Sequence, residues 1–249
     1  MISASIITKN EEANIQRCLN SLKWVDEIVV IDSGSQDQTV AICENFGCKV
    51  IETNWMGFGA TKQLGVDSSK NDWVLSIDAD EEVSDELAKE IQFLISENTC
   101  IKNAFSIKRK SFYLGRLINY SGWQDDYPIR LFNRKHAKFN SKSVHEKVEV
   151  DDSDVKRINK IIFHYPFPSI EKHIKKINLY STLAASELFN NKSKHIFLYP
   201  FAAGLFKFLK IYIIKKGFLD GKEGFILSFL SSHYVFLKYM KLWVLWKKI

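Results

Sequence analysis

The chain has 249 residues, 46% hydrophobic and 26% charged, with a net charge of +6. That is enough to bury one α/β core with an appendage, and too apolar for a disordered chain. The charge is uneven: residues 190–249 hold 11 Lys against 2 Asp/Glu, while residues 1–189 hold 24 basic and 27 acidic side chains. The terminal segment points to an anionic surface, membrane lipid before nucleic acid, because no nucleic-acid-binding module accompanies the charge.

In chain order, Ser3–Thr8 reads as a short apolar strand, followed by a helix over Asn10–Leu22 with Ile15, Cys18, Leu19 and Leu22 at helical spacing. Glu27–Asp32 is a strand ending on a carboxylate, Thr39–Phe46 a helix closed by Gly47, and Lys49–Glu52 a third strand. A helix over 58–69 leads to the buried strand Trp73–Ile77, again ending on a carboxylate. Ser84 caps a helix to about Ile95. Apolar strands alternating with helices mean a mostly parallel sheet covered on both faces, with ligands beyond the carboxyl ends of the strands. Residues 101–163 change to short mixed strands (Ala104–Arg109, Ile129–Asn133, Val144–Val150) separated by loops. From Ser169 the pattern is helical, interrupted by Pro200. The four cysteines (Cys18, Cys43, Cys48, Cys100) show no CxxC or metal-ligand spacing and read as small buried hydrophobes. Met1 leads straight into a strand with no signal-peptide pattern, so a reducing cytosolic compartment is expected.

The chemistry gathers at strand ends. Asp78 and Asp80 flank Ala79, and in an extended segment residues two apart point the same way. Both carboxylates can then face one hard divalent cation, Mg²⁺ or Mn²⁺, with open positions for phosphate oxygens. Such a cation neutralises a nucleoside-diphosphate leaving group. The plain alternative is an acidic helix N-terminus, and that is the reading given to Glu81, Glu82 and Asp85. Asp32 opens a Ser/Gly turn (residues 32–39) that exposes backbone N–H groups, or is an ordinary capped turn. Thr8-Lys9-Asn10-Glu11-Glu12 is a third strand-end loop, and Lys62 either pairs a phosphate or is a solvated helix lysine. No GxGxxG follows the first strand and there is no GxxxxGK[ST], so a dinucleotide or P-loop site lacks its phosphate loop.

The segments IITKNEE, VDEIVVIDSGSQDQT, GFGATKQLG and DWVLSIDADEE, in this order, resemble the nucleotide-sugar-binding half of family 2 glycosyltransferases. Residues 122–132 (GWQDDYPIRLF), Val144-His145-Glu146, Leu183-Ala184-Ala185 and residues 215–221 (KKGFLDG) resemble one branch, the lipopolysaccharide core glycosyltransferases, which include β-1,4-glucosyltransferases acting on inner-core heptose. The resemblance implies a GT-A, Rossmann-like domain over residues 1–165, donor half 1–100 and acceptor half 101–165, with a helical membrane-associated extension over 166–249. It implies metal-dependent, inverting transfer from a UDP-sugar, UDP-glucose first, to a lipid-linked or lipopolysaccharide-core saccharide. Carried over residue by residue, Asp32 contacts uracil or ribose, and Thr8, Asn10 and Glu11 belong to the loop lining that pocket. Asp78 and Asp80 form the D-x-D, with Asp80 the direct metal ligand, and Lys62 approaches the pyrophosphate. Asp126 is the first candidate base, with Glu146 and Asp125 in reserve. Ser121 and Gln124 depart from the branch's loop pattern. His145 reads as a third metal ligand, an acceptor contact or a structural histidine. Trp123 reads as a sugar platform or a core aromatic, and Arg130 as an acceptor-phosphate contact or a salt bridge.

Residues 196–214 and 225–246 are aromatic and apolar but are interrupted by Lys207, Lys210, Lys238 and Lys241. Neither offers the roughly 20 clean apolar residues of a spanning helix. They read as two helices in the membrane interface with lysines toward anionic headgroups, or as a helical subdomain on the core. The expected location is the cytoplasmic face of the inner membrane, peripheral or monotopic. A nucleotidyltransferase of related fold and a non-catalytic membrane-binding module are the competing functions.

Overall fold

A computed structural model describes residues 1–96, 102–140, 146–193 and 197–247. The chain forms two compact units, Met1–Arg109 with Asp126–His164, and Lys110–Asp125 with Tyr165–Ile249.

The first unit opens with β1 (Ile2–Thr8), α1 (Glu12–Asn20), β2 (Glu27–Asp32), α2 (Thr39–Asn45), β3 (Lys49–Glu52), α3 (Phe58–Asp67) and β4 (Trp73–Asp78). Strand β1 is flanked by β2 and β4, both parallel to it, and nearly every position is buried. A strand covered on both faces needs a continuous apolar or small-residue run, and ISASIIT supplies one. The four strands lie in the order β3-β2-β1-β4. Beyond β4 the sheet continues with β8 (Ile129–Asn133), β6 (Ala104–Tyr113), β11 (Val155–Phe167) and β5 (Glu81–Val83), while β9 (Lys138–Phe139) and β10 (Val148–Glu149) pair with each other in a separate ribbon. There β8 runs antiparallel to β4 and β6, and β5 antiparallel to β11. After β5 comes α4 (Asp85–Ser96), whose first turn is held by Ser84 Oγ accepting from Leu87 N at 3.3 Å.

The main core joins Ile2, Ala4 and Ile6 of β1 to Ile15, Cys18 and Leu19 of α1 and to Leu87 and Ile91 of α4. Cys18 and Cys43 are buried in it and Cys48 packs partly against it, while Cys100 lies outside the described residues. Helix α3 approaches β1 so closely that a Cβ on Gly65 would sit 2.1 Å from Ser5 Oγ.

Two elements differ from the sequence expectation. Glu81 and Glu82 belong to strand β5, not to a helix N-terminus. Strand β11, 13 residues long, follows no apolar alternation, because its buried Ile158 and Ile162 lie four apart with Lys156, Arg157 and Lys160 exposed around them.

In the second unit the end of β6 pairs with β7 (Arg116–Leu117), Phe112 opposite Leu117. Helix α5 (Ile170–Asn190) starts where Ser169 Oγ accepts from Lys172 N at 3.2 Å. Helix α6 (Tyr199–Leu209) begins with Pro200 in its first turn, where the missing N–H costs nothing. A π-turn (Lys210–Ile214) and a 3₁₀ turn (Gly217–Asp220) lead to α7 (Gly221–Lys247). Helix α7 is tied to α5 by Lys241 Nζ, which donates to Asn178 O and Ser181 Oγ at 2.8 Å. Ser232 Oγ ties it to α6 by donating to Gly204 O at 2.7 Å. Among the described residues no helix is long and apolar enough to cross a membrane.

Candidate active site

Three adjacent parallel strands of the first unit end together, Thr8 in register with Asp32 and Ile7 with Asp78. The loop after β2 is built around the Asp32 carboxylate. Its Oδ1 accepts from Gly34 N at 2.9 Å and Ser35 N at 2.8 Å, and its Oδ2 accepts from Ser35 Oγ at 2.5 Å. Asp32 is fully buried, so its role in the structure is to shape this turn. The loop after β1 is fastened to it: Asn10 N donates to Ser35 Oγ at 2.8 Å, Asn10 Oδ1 accepts from Gln36 N at 2.8 Å, and Glu11 N donates to Thr39 Oγ1 at 2.8 Å. Among the described residues, two buried hydroxyls at these ends, Thr8 Oγ1 and Ser33 Oγ, have no hydrogen-bond partner, and neither has Thr61 Oγ1 on α3. Unmet polar atoms in a dry interior are costly and mark a place where a ligand or ordered water completes the set.

The carboxylates beyond β4 sit in a buried ion-pair network. Asp78 Oδ1 is 2.9 Å from Lys62 Nζ, and its Oδ2 is 2.5 Å from an Arg130 guanidinium nitrogen. Burial alone would raise the Asp78 pKa, but the Arg130 and then the Lys62 charge outweigh it and hold the carboxyl well below the usual range. The same Arg130 nitrogen lies 2.5 Å from Glu81 Oε1, and Arg109 lies 2.9 Å from that oxygen. Arg109 also reaches Asp126 Oδ2 at 2.7 Å, beside a backbone bridge between the two residues. Lys62 Nζ is 2.9 Å from Glu146 Oε1 as well. Lys62, Asp78, Glu146 and Asp126 thus belong to one connected network. Arg130 takes the salt-bridge reading, since both its partners are carboxylates of the site.

Three members were not singled out by the sequence reading: Glu81, Arg109 and His164. Glu81 Oε2 also accepts from Asp78 N at 3.0 Å, so this buried residue braces the D-x-D from beneath. His164 on β11 brings its Nε2 to 3.6 Å from Asp80 Oδ1. Of that pair the carboxylate suits Mg²⁺ or Mn²⁺, and the imidazole could add a nitrogen donor to Mn²⁺, leaving positions for ligand oxygens. Among the described residues no group of three or more His, Cys, Asp or Glu converges on one point. His145, expected as a ligand, lies outside the described residues.

In the second unit, buried Asp220 organises the loop before Asp125. Its carboxylate accepts from Asn119 N at 3.0 Å, Tyr120 N at 3.1 Å and Ser121 Oγ at 2.7 Å. Ser121 has φ 59°, a left-handed conformation that favours glycine, and its hydroxyl bond to Asp220 holds it there. Gln124 Oε1 accepts from Gly122 N at 3.0 Å, which fixes the tip of the same loop. Trp123 packs with Tyr113, Ile118, Phe167 and Leu227, so it takes the core reading. Asp125 is exposed.

Strand-end carboxylates over a parallel sheet admit more than one enzyme class, and comparison with known proteins decides between them. Residues 3–148 match the family model "Glycosyl transferase family 2". The chain belongs to glycosyltransferase family 2. An uncharacterized glycosyltransferase of Rickettsia typhi, RT0209, is 37% identical, the match covering 97% of this chain and 86% of that protein. The lipopolysaccharide core biosynthesis glycosyltransferase LpsC of Rhizobium meliloti is 26% identical over 97% of this chain and 92% of its own length. S. aureus TarS 1-349, solved in complex with UDP, superimposes with a TM-score of 0.52 at 17% identity, covering 100% of this chain and 92% of that one. That likeness shows a GT-A-like α/β fold, and the family match favours a glycosyltransferase over the nucleotidyltransferase and membrane-module alternatives.

Proposed function

We propose that this family 2 enzyme moves glucose from UDP-glucose, with inversion, onto a lipid-linked or lipopolysaccharide-core saccharide. In this reading it works with Mg²⁺ or Mn²⁺ at the cytoplasmic face of the inner membrane, as a peripheral or monotopic protein on an anionic lipid surface. The observation that carries the reading is the convergence of Thr8, Asp32 and Asp78 at three neighbouring strand ends, with the unpartnered Thr8 and Ser33 hydroxyls between them. LpsC, whose name places it in lipopolysaccharide core biosynthesis, supports the acceptor class, and the UDP complex of TarS supports the nucleotide.

Thr8, Asn10 and Glu11 with the loop shaped by Asp32 form the nucleoside pocket. Lys62 stands at the pyrophosphate, and Asp80 with His164 would hold the divalent cation. That cation supplies neutralisation of charge on the departing diphosphate. Asp78 is engaged by Lys62 and Arg130, which suits it to hold those cations rather than to bind metal directly. Asp126, aimed by Arg109 and 39% exposed, is the general base. An acceptor hydroxyl gives its proton to the Asp126 carboxylate as its oxygen bonds to the anomeric carbon. The bond from that carbon to the phosphate oxygen breaks on the opposite face, and UDP departs with the electron pair. Glu146, turned toward Lys62, is placed to position the lysine, and Asp125 is the remaining reserve.

Calorimetric titration with UDP and Mn²⁺ tests the pocket. Wild type is expected to bind, and Asp32→Ala to bind at least about tenfold more weakly with an unchanged circular dichroism spectrum. A folded, metal-supplied wild type that ignores UDP would overturn the assignment.

A further inference from the structure

Helix α6 is amphipathic the wrong way round for a water-facing helix. Its buried positions, Pro200 and Gly204, face α7, and Ile211 of the π-turn that follows is buried as well. A Cβ on Gly204 would come within 3.4 Å of Ser232 Oγ. The opposite face carries Leu205, Leu209 and Ile213 at successive four-residue steps, all exposed, with Phe206 and Ile214 beside them. Leu205, Phe206 and Ile214 are each more than 60% exposed. Phe218 and Leu219 in the 3₁₀ turn extend the surface. Thirteen large apolar residues are exposed between 197 and 229, against four among the described residues of the first unit. Contiguous apolar surface of that extent marks an interaction face.

The charges on this stretch select the partner. Lys210, Lys215, Lys216 and Lys222 are exposed, and the acids of the stretch are both engaged: Asp220 is buried against the loop at 119–121, and Glu223 pairs with Arg116 at 3.4 Å. A second copy of the chain docked on this face would set lysines against lysines. Apolar side chains edged by lysines instead match an anionic bilayer, with aromatics at acyl depth and ammonium groups among the phosphates.

We infer that the exposed face of α6 and of the turns over residues 210–219 is a monotopic docking surface for anionic lipid. Helix α7, against which both α5 and α6 pack, supports this surface from within and adds the exposed Phe225 and Phe229 near its start. The inference rests on the membrane reading of the proposed function and names its surface. It also has a consequence for the acceptor side. The turn that carries Phe218 and Leu219 to the surface ends on Asp220, the residue that clamps Asn119, Tyr120 and Ser121. Docking therefore fixes the loop before Asp125 relative to the bilayer.

The test is flotation of the full chain with vesicles of phosphatidylcholine alone or with 30% phosphatidylglycerol. Wild type is expected to float with the anionic vesicles only. Lys210→Glu with Lys215→Glu and Lys216→Glu is expected to lose at least about a hundredfold in partitioning, at about tenfold or somewhat less per lysine removed. Leu205→Ser with Leu209→Ser is expected to lose binding while circular dichroism and UDP binding stay unchanged. Equal flotation with neutral vesicles would overturn the charge selection. A stable dimer by light scattering with no flotation would overturn the lipid surface in favour of a second copy. UDP binding retained while flotation fails would sink this inference alone, whereas loss of UDP binding in wild type would sink the proposed function.

Discussion

Replacing Arg130 by Met keeps the length of the side chain and removes the charge at the centre of the site. Arg130 is 4% exposed and a single guanidinium nitrogen touches both Asp78 and Glu81 at 2.5 Å. Removing one partner of a buried pair costs about 3–5 kcal/mol, because a desolvated charge is left behind. Here Asp78 keeps Lys62 and Glu81 keeps Arg109, each at 2.9 Å, so the lower end applies, about 3 kcal/mol. For a chain of this size that is a fall of about 6–12 °C in melting temperature. The pH dependence carries a definite sign. Asp78 is held below its ordinary value in the folded state, so the stability it contributes is complete above about pH 4 and is lost as pH falls through the folded value. Without Arg130 that depression shrinks, so the gap between wild type and variant is full at pH 7 and narrows below about pH 4. Melting curves by circular dichroism at pH 7, 5 and 3.5 measure it. Arg130→Lys should fall between the two, restoring charge without the planar fork. A loss under about 1 kcal/mol at pH 7, or a gap that widens in acid, would refute the claim that Arg130 compensates these carboxylates.

Asp126→Asn should lower kcat about 10²–10⁴-fold with little change in donor KM, as expected for removal of a general base. Glu146→Gln should act mainly on donor KM through Lys62, and the reverse pattern in steady-state kinetics would move the base to Glu146. Burial, and then the Lys176 charge, lowers His173 to about 4, so its stabilisation is complete above about pH 6.5 and is lost as pH falls toward 4. Chemical denaturation should show a steeper decline across that window in wild type than in His173→Phe, by up to about 3 kcal/mol; equal slopes would contradict it. Gly65→Ala should cost about 1–3 kcal/mol by overpacking against Ser5, with much of it recovered in Gly65→Ala combined with Ser5→Gly. No recovery in urea denaturation would mean that the contact is not the cause.

The parallel half of the fold was legible because its signals are local. The run ISASIIT, the helical spacing of Ile15, Cys18 and Leu19, and the carboxylates closing β2 and β4 each lie within one element. Of the antiparallel half, β8 and the start of β6 were legible, but β5 and β11 were not, because their own residues show no strand pattern and they are strands through pairing with neighbours, His164 opposite Glu81. Glu81 in isolation resembles an acidic helix start, and only Arg109 and Arg130, 28 and 49 residues away, make it a buried brace. His164 sits in an aromatic stretch with no ligand spacing and meets Asp80 through that same strand pairing. The departure at Ser121 from its relatives' pattern was visible early, but its reason needs Asp220, 99 residues on. The uneven distribution of lysines was legible too, whereas the packing of α7 against both α5 and α6 was not.

The central claim is tested most directly by presenting the full chain, with Mn²⁺ or Mg²⁺ and anionic vesicles, to a panel of nucleotide-sugars, and comparing donor hydrolysis by wild type with that by Asp80→Ala. The expected result is metal-dependent use of a UDP-sugar, UDP-glucose first, abolished in the variant. A folded, metal-loaded and lipid-supplied wild type that uses no UDP-sugar, or an Asp80→Ala variant as active as wild type, would contradict it.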